Sequence, residues 1–257
     1  MIALSVNVNK IALLRNSRGG SRPDLIDLAR VALHAGAAGI TVHPRPDQRH
    51  IRASDVPLLA RMLREEFPQA ELNIEGNPFA AANDGGYPGL VALVAAVRPA
   101  QVTLVPDTDS QLTSDHGWDL PTDSERVRPL VDEFHDLGAR VSLFMDPEPE
   151  AIAAVPATGA DRIELYTGPY AAAWAEDGHA GGPVATASLA RFTAAARFAE
   201  TLGLGINAGH DLDLDNLIGL RGLPGLTEVS IGHALVTDAL ELGLFGTVRR
   251  YCRVLNG

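Results

Sequence analysis

The chain is expected to close eight parallel β-strands, ringed by helices, into one (β/α)8 barrel domain spanning residues 1–257. Three observations carry that expectation. Eight short, β-rich apolar runs alternate with segments of helical periodicity, and strand–helix alternation yields a parallel sheet. The length of 257 residues matches the roughly 250 typical of such a barrel. Nearly every strand ends in a polar residue, among them Asn7, Glu75, Glu164, His210 and His233. An open doubly wound sheet is the alternative, but it gathers its site at one switch point rather than at every strand end.

Taken in order, Ile2–Val8 alternates as a first strand and Ile11–Arg22 follows as a flexible basic loop holding Arg15 and Arg18. Pro23 and Asp24 open a helix to Ala35, with Leu25, Leu28, Ala29, Ala32 and Leu33 on one face, and Gly36 stops it. Gly39–Val42 is the second strand. It delivers His43 to its carboxyl end, where Pro44 and Pro46 stiffen the exit. Ser54 caps a helix to Phe67, with Asp55 favourable in its first turn. Glu71–Ile74 is the third strand, Tyr87–Val97 a helix and Gln101–Val105 the fourth strand. The long polar loop Pro106–Pro121 contains Thr113, and loops of that length are commonly functional lids.

Asp123–Leu137 then reads as a helix, Arg140–Met145 as a strand, Glu148–Ala154 as a short helix and Arg162–Tyr166 as a strand. Thr167–Pro183 is expected to be a Gly/Ala-rich loop before the helix Ala185–Leu202. Leu204–Asn207 is the seventh strand, Asp213–Arg221 a helix and Thr227–Ile231 the eighth strand. Ala234–Leu255 closes the chain as an amphipathic helix with a break near Gly243.

Composition narrows the function. A formal charge of −11 opposes non-specific nucleic-acid binding, which needs a positive surface. No run approaches the ~20 apolar residues that span a bilayer. Cys252 is the only cysteine, which excludes an internal disulfide and fits a reducing, cytoplasmic setting. No G-x-G-x-x-G follows a strand, which argues against a nicotinamide enzyme. Of the 21 basic residues only Lys10 is a lysine. It sits just past the first strand, where a compact ammonium differs from a guanidinium in reach and chemistry.

The polar residues fall into constellations. Strands seven and eight end in near-copies, Asn207-Ala208-Gly209-His210 and Ser230-Ile231-Gly232-His233. Glycine at these loops lets backbone N–H groups approach a phosphate, with a following helix adding positive dipole; plain turn glycines are the bland alternative. Arg18, Arg45 and His50 form a second cationic cluster, whereas Arg49 and Arg52 also fit a solvated basic face. Two anion sites imply two phosphorylated substrates or one bisphosphate. Glu75 and Glu164 read as a general base or stabiliser, and His43 and His210 as groups that titrate where the cell operates. A zinc or manganese site built from His43, Glu75, His210 and His233 is the metal alternative; no H-x-H lies on the first strand and no H-E-x-x-H occurs.

The segments SVNVNKIALLRNSRGG, GITVHPRPDQRHI, LNIEGNP, VTLVP…LTSDHGWD, RIELYTGPYA, INAGHDL and VSIGHAL resemble, in order and from Leu4 to about Tyr251, the motifs of the pyridoxine 5′-phosphate synthase family. The resemblance implies a homo-oligomeric, octameric, cytoplasmic barrel of vitamin B6 biosynthesis that needs no metal or organic cofactor. The implied reaction condenses 3-amino-2-oxopropyl phosphate with 1-deoxy-D-xylulose 5-phosphate to pyridoxine 5′-phosphate, phosphate and water. It implies His43 and Glu75 as proton acceptors, His210 as proton donor and Glu164 as transition-state stabiliser. Asn7, Arg18, Asp211, Gly232 and His233 would hold the amino-ketone phosphate, and Arg45, His50 and Thr113 the xylulose phosphate. Asn9-Lys10 stands where many members carry Asp-His, at a position expected to touch the xylulose phosphate. That departure leaves two enzyme rivals, a Lys10-dependent aldolase and a metal-dependent barrel hydrolase, and a third rival, a non-catalytic barrel that binds sugar phosphates.

Overall fold

A computed structural model describes all of residues 1–257. The strands are β1 (Ala3–Asn7), β2 (Gly39–Val42), β3 (Glu71–Gly76), β4 (Gln101–Leu104), β5 (Arg140–Met145), β6 (Arg162–Tyr166), β7 (Gly205–Gly209) and β8 (Leu226–Ile231). Each pairs in parallel with the next, and β8 returns to β1 through Ala3↔Glu228 and Val6↔Ile231. The expected closed barrel is the observed one.

The helices are α1 (Asn9–Asn16), α2 (Leu25–His34), α3 (Asp55–Glu66), α4 (Leu90–Val97), α5 (Leu120–Asp136), α6 (Pro149–Ile152), α7 (Gly168–Glu176), α8 (Pro183–Thr201), α9 (Leu217–Leu220), α10 (His233–Leu242) and α11 (Leu244–Asn256). The closing helix is divided at Gly243, whose φ of 74° ends α10. Asp24 caps α2 by accepting from the Ile26 and Asp27 backbone N–H groups at 2.9 and 3.0 Å.

Two expected loops contain helices. Ile11–Arg22 is not a loop, because α1 begins directly after β1 and buries Ile11, Ala12 and Arg15. Arg15 leaves the basic surface altogether: its guanidinium forms a fork with both Asp55 carboxylate oxygens at 2.7 and 2.9 Å and donates to the His50 carbonyl at 3.2 Å. Thr167–Pro183 likewise carries α7, whose Ala-rich run has the best intrinsic helix propensity. Tyr170 anchors it, fully buried, with its hydroxyl donating to the Asn216 carbonyl at 2.8 Å.

Strand alternation divides the protein into two chemistries. Val6, Ile40, Val42, Ile74, Leu104, Leu143 and Ile163 face the helices and are fully buried in one apolar shell. The residues between them face the barrel axis and are largely polar. Ser5 and Thr41 hydroxyls meet at 2.6 Å, Thr103 donates to Asn73 at 3.1 Å, and Asn207 donates across the barrel to Gln101 at 3.3 Å. Bulky aliphatic layers fill many such barrels; here the axis is hydrogen-bonded side chains. That leaves the carboxyl ends of the strands free to carry more polar groups.

Candidate active site

The carboxyl mouth opens on a cavity of about 400 Å³. Asn7, Asn9, Lys10, His43, Arg45, His50, Glu75, Thr113, Glu164, His210, Asp211, Gly232 and His233 all line it. Arg18 does not. It is exposed in the turn after α1, so the expected pairing of Arg18 with the Arg45–His50 cluster is absent in this structure. The physical reason is the unforeseen α1, which carries the chain outward before Arg18.

His43 leaves β2 with its backbone N–H donating to Asn9 Oδ1 at 2.9 Å. Its ring lies between two carboxyl groups, with Nδ1 3.8 Å from Glu75 Oε2 and Nε2 4.0 Å from Asp107 Oδ2. Burial and the neighbouring Arg45, His50 and Arg49 hold its pKa well below the imidazole norm, so the ring is neutral and able to accept a proton. His50 is pushed down to about 3, chiefly by burial and next by Arg45. Its Nδ1 accepts the Ile51 N–H at 2.9 Å, which leaves Nε2 as the protonated nitrogen, a donor suited to an anion.

The carboxyl groups shift the other way. Burial, then the Asp107 charge, raises Glu75 to about 8, although Asn7 donates to its Oε2 at 3.3 Å. Burial, then Glu75, raises Glu164 well above the carboxylate range. Two desolvated carboxyls in one cavity cannot both ionise easily, which disfavours the charged form of each. An anion entering the cavity therefore meets Lys10, Arg45 and Arg49 beside carboxyls whose charged form is disfavoured, with Asp211 the exception, despite the negative charge of the whole chain.

His210 and Asp211 follow β7 with φ of 83° and 55°. Two consecutive non-glycine residues in the left-handed region store about 1–3 kcal/mol each, a recurrent feature of functional loops. The Thr167 hydroxyl reaches the Gly209 and His210 carbonyls and holds this turn, while Tyr166 packs edge-on against the imidazole at 5.3 Å. His210 Nδ1 lies 3.1 Å from Asp211 Oδ2, and that contact lowers the Asp211 pKa. Gly209 is required by its surroundings, since a Cβ there would sit 2.7 Å from Glu164 Oε1 and 2.8 Å from the Ser230 carbonyl. A Cβ at Gly232 would press within 3.1 Å of Asn7. Gly232 opens α10 without any side-chain cap, which leaves the first N–H groups of that ten-residue helix available to an anion.

The segment after β4 crosses the mouth. Thr113 Oγ1 meets His210 Nε2 at 2.7 Å. Arg49 donates to the Asp109, Gln111 and Leu112 carbonyls at 3.2, 3.1 and 3.4 Å, so it is a strut under this segment rather than a solvated charge. Asp107, which the sequence reading passed over, is buried against Arg45 and accepts from the Ser114 hydroxyl at 2.8 Å. His116 is exposed and pairs with Asp115. No group of three or more His, Cys, Asp or Glu side chains is disposed to hold a metal ion.

Comparison with known proteins decides the family. Residues 4–257 match the model described as "Pyridoxal phosphate biosynthesis protein PdxJ". The chain belongs to the PdxJ family. Among PdxJ relatives, the pyridoxine 5′-phosphate synthase of Xanthomonas oryzae pv. oryzae is 57% identical over 257 residues, covering 100% of this chain and 97% of the relative. The protein of the same name from Xanthomonas campestris pv. campestris is 58% identical over 255 residues, covering 99% and 96%. That of Albidiferax ferrireducens is 54% identical over 253 residues, covering 98% and 96%. Among solved structures, 3-hexulose-6-phosphate synthase from Salmonella typhimurium superposes with a TM-score of 0.63 at 14% identity, covering 99% of this chain and 98% of that one. A likeness at that identity shows the shared barrel alone.

Proposed function

We propose that this PdxJ-family chain condenses 3-amino-2-oxopropyl phosphate with 1-deoxy-D-xylulose 5-phosphate, releasing pyridoxine 5′-phosphate, phosphate and water. The observation that carries the reading is one cavity lined by His43, Glu75, Glu164 and His210 together with Lys10, Arg45, His50 and the uncapped start of α10. In this reading the amino-ketone phosphate takes a first end, at the uncapped start of α10 with Gly232, His233, Asn7 and Asp211, and the xylulose phosphate a second, at Arg45, His50, Lys10, Asn9 and Thr113. Arg18 belongs with the first end only if the turn after α1 moves inward on binding.

The chemistry is a series of proton transfers: imine formation, loss of phosphate, loss of water and ring closure. Neutral His43 accepts a proton. Glu75, protonated in the free site, acts as acceptor after its own proton has passed on or as pH approaches 8. His210 donates, and the Thr113 contact orients its Nε2. Glu164 faces the developing positive charge, and its ionisation is favoured by that charge. The segment held by Arg49 keeps water from a hydrolysable intermediate.

Supplying both substrates to the purified chain and measuring pyridoxine 5′-phosphate, with and without chelator, tests the reading. Product formation indifferent to chelator supports it. Chelator-sensitive hydrolysis, retro-aldol cleavage through Lys10, or binding without turnover would each favour the corresponding rival. The reading includes a homo-oligomer in the cytoplasm. Exposed Leu13 and Leu14 on α1 and Leu240 and Leu242 on α10, which packs beside it, support association, and an octamer is the size to seek by sedimentation. No helix is long and apolar enough to cross a membrane.

A further inference from the structure

One buried carboxylate beside the cavity is used by none of the steps above. Asp107 is 3% exposed, on the segment after β4. Its Oδ2 pairs with the Arg45 guanidinium and accepts the Ser114 hydroxyl at 2.8 Å, while its Oδ1 has no hydrogen-bond partner. Asn77 Nδ2 donates to its backbone carbonyl at 2.7 Å, which pins the residue from β3's side. The same Oδ2 is 4.0 Å from His43 Nε2. One carboxylate thus touches the arginine assigned to the xylulose phosphate, the residue next to Thr113 in the crossing segment, and the surroundings of the proton acceptor.

We propose that Asp107 is a positioning residue of this site: it aims Arg45 at the xylulose phosphate and provides the counter-charge for the imidazolium that His43 becomes when it takes a proton. The inference rests on the function proposed above. A neutral imidazole at 4.0 Å needs no partner, but an imidazolium in a buried site does. Glu75, 3.8 Å from the other ring nitrogen, carries its own proton and cannot serve while protonated. Asp107 is then the carboxylate that remains, in the role an aspartate plays behind a catalytic histidine elsewhere. It also ties phosphate recognition to closure, because Arg45 Nη1 donates at 3.3 Å to the Gln111 carbonyl in the same segment.

The test is Asp107→Asn, which keeps the shape and removes the charge. The KM for 1-deoxy-D-xylulose 5-phosphate is expected to rise about tenfold and kcat to fall about tenfold, the scale of one lost charge-assisted contact each. The KM for 3-amino-2-oxopropyl phosphate should not move, because its assigned partners do not touch Asp107. The acid limb of the kcat profile should also move to lower pH. The charged or titrating groups around that limb are His43, His50, Arg45 and Arg49 after β2, Lys10 in α1, Glu75 in β3, Glu164 in β6, His210 and Asp211 after β7 and Glu228 in β8; the substitution leaves all of these in place, and because the Asp107 charge also raises Glu75, its loss moves both acceptors in the same direction. Asp107→Glu, which restores the charge at a longer reach, should return the limb to its wild-type position while KM stays raised.

Equal changes in both KM values, or a wild-type profile for Asp107→Asn, would overturn the inference and leave a structural role. If the Asn variant does not fold, the Glu variant decides: a limb displaced despite the charge overturns it too. Calorimetric titration with 1-deoxy-D-xylulose 5-phosphate separates the two levels. A wild-type chain that binds but makes no product sinks the proposed function, and equal affinity in wild type and Asp107→Asn sinks this inference. A wild-type chain that does neither sinks both.

Discussion

Thr113 Oγ1 lies 2.7 Å from His210 Nε2, and this single contact joins the segment after β4 to the turn after β7 across the mouth of the barrel. It places the proposed proton donor under the control of the segment that closes over the substrates. Thr113→Val, which keeps the shape and removes the hydroxyl, is expected to lower kcat about tenfold, the scale of one lost hydrogen bond. Steady-state kinetics with both substrates varied is the check, and a variant with unchanged kcat would show that His210 is positioned without it.

His43→Ala should reduce turnover by about 10²–10⁴-fold, the usual loss when a general base is removed. The fold should survive, because His43 lies on the cavity wall and outside the apolar shell. Product formation together with circular dichroism measures both halves. Activity near wild type would remove His43 from the mechanism.

Glu75→Gln ties chemistry to stability. The Glu75 carboxyl titrates near 8 in the folded chain, against about 4.3 for an unperturbed Glu. Its folded pKa is raised, so its stabilising contribution is full below the unfolded pKa and is lost as pH rises through about 8. Glutamine carries no such penalty. Relative to wild type, the thermal midpoint of Glu75→Gln should therefore climb between pH 5 and pH 8 and then level off, with about 2–4 °C for each kcal/mol in a chain of this size. Turnover should be lost. A midpoint difference that does not vary with pH would show that Glu75 titrates normally.

Breaking the Arg15–Asp55 fork strands a charge between α1 and the start of α3. Both side chains are buried, and removing one partner of such a pair costs about 3–5 kcal/mol. Arg15→Ala should lower the urea midpoint accordingly, and it should also weaken activity, because Arg15 holds the carbonyl of His50. A loss under about 1 kcal/mol, the range of exposed pairs, would count the fork as solvated.

Lys10→Ala is expected to raise the KM for 1-deoxy-D-xylulose 5-phosphate about tenfold with little change in kcat, since a cation in the first turn of α1 contributes to binding. Borohydride trapping with substrate followed by mass spectrometry should give no adduct at Lys10. A trapped adduct would restore the aldolase reading.

The barrel was legible because its signal is simple. Alternation in segments such as Leu72–Glu75 and Ile163–Leu165 is the pleat itself, and nearly every strand ends where a polar residue enters the mouth. Both unforeseen helices defeat that kind of reading. In α1 the sequence NKIALLRN begins with no turn after β1 and buries an arginine by pairing it with a residue 40 positions away, a long-range fact that no local pattern contains. In α7 the glycine and proline at its start read as loop punctuation, whereas proline there occupies the first turn, where it is tolerated. Asp107 was passed over for the same reason as Arg15. Its importance comes from Arg45 and His43, which are distant in sequence, and Asp-Thr-Asp-Ser looks like any solvated loop.

The hydrogen-bonded axis of this barrel has a further consequence. The grease that holds the molecule together forms a sleeve outside the strands, so the side chains that perform chemistry stand on scaffolding they do not themselves support. Selection can exchange one inward-pointing group for another of similar bulk without touching that sleeve. Evolvability of this enzyme is thus built into which way each pleat turns its face.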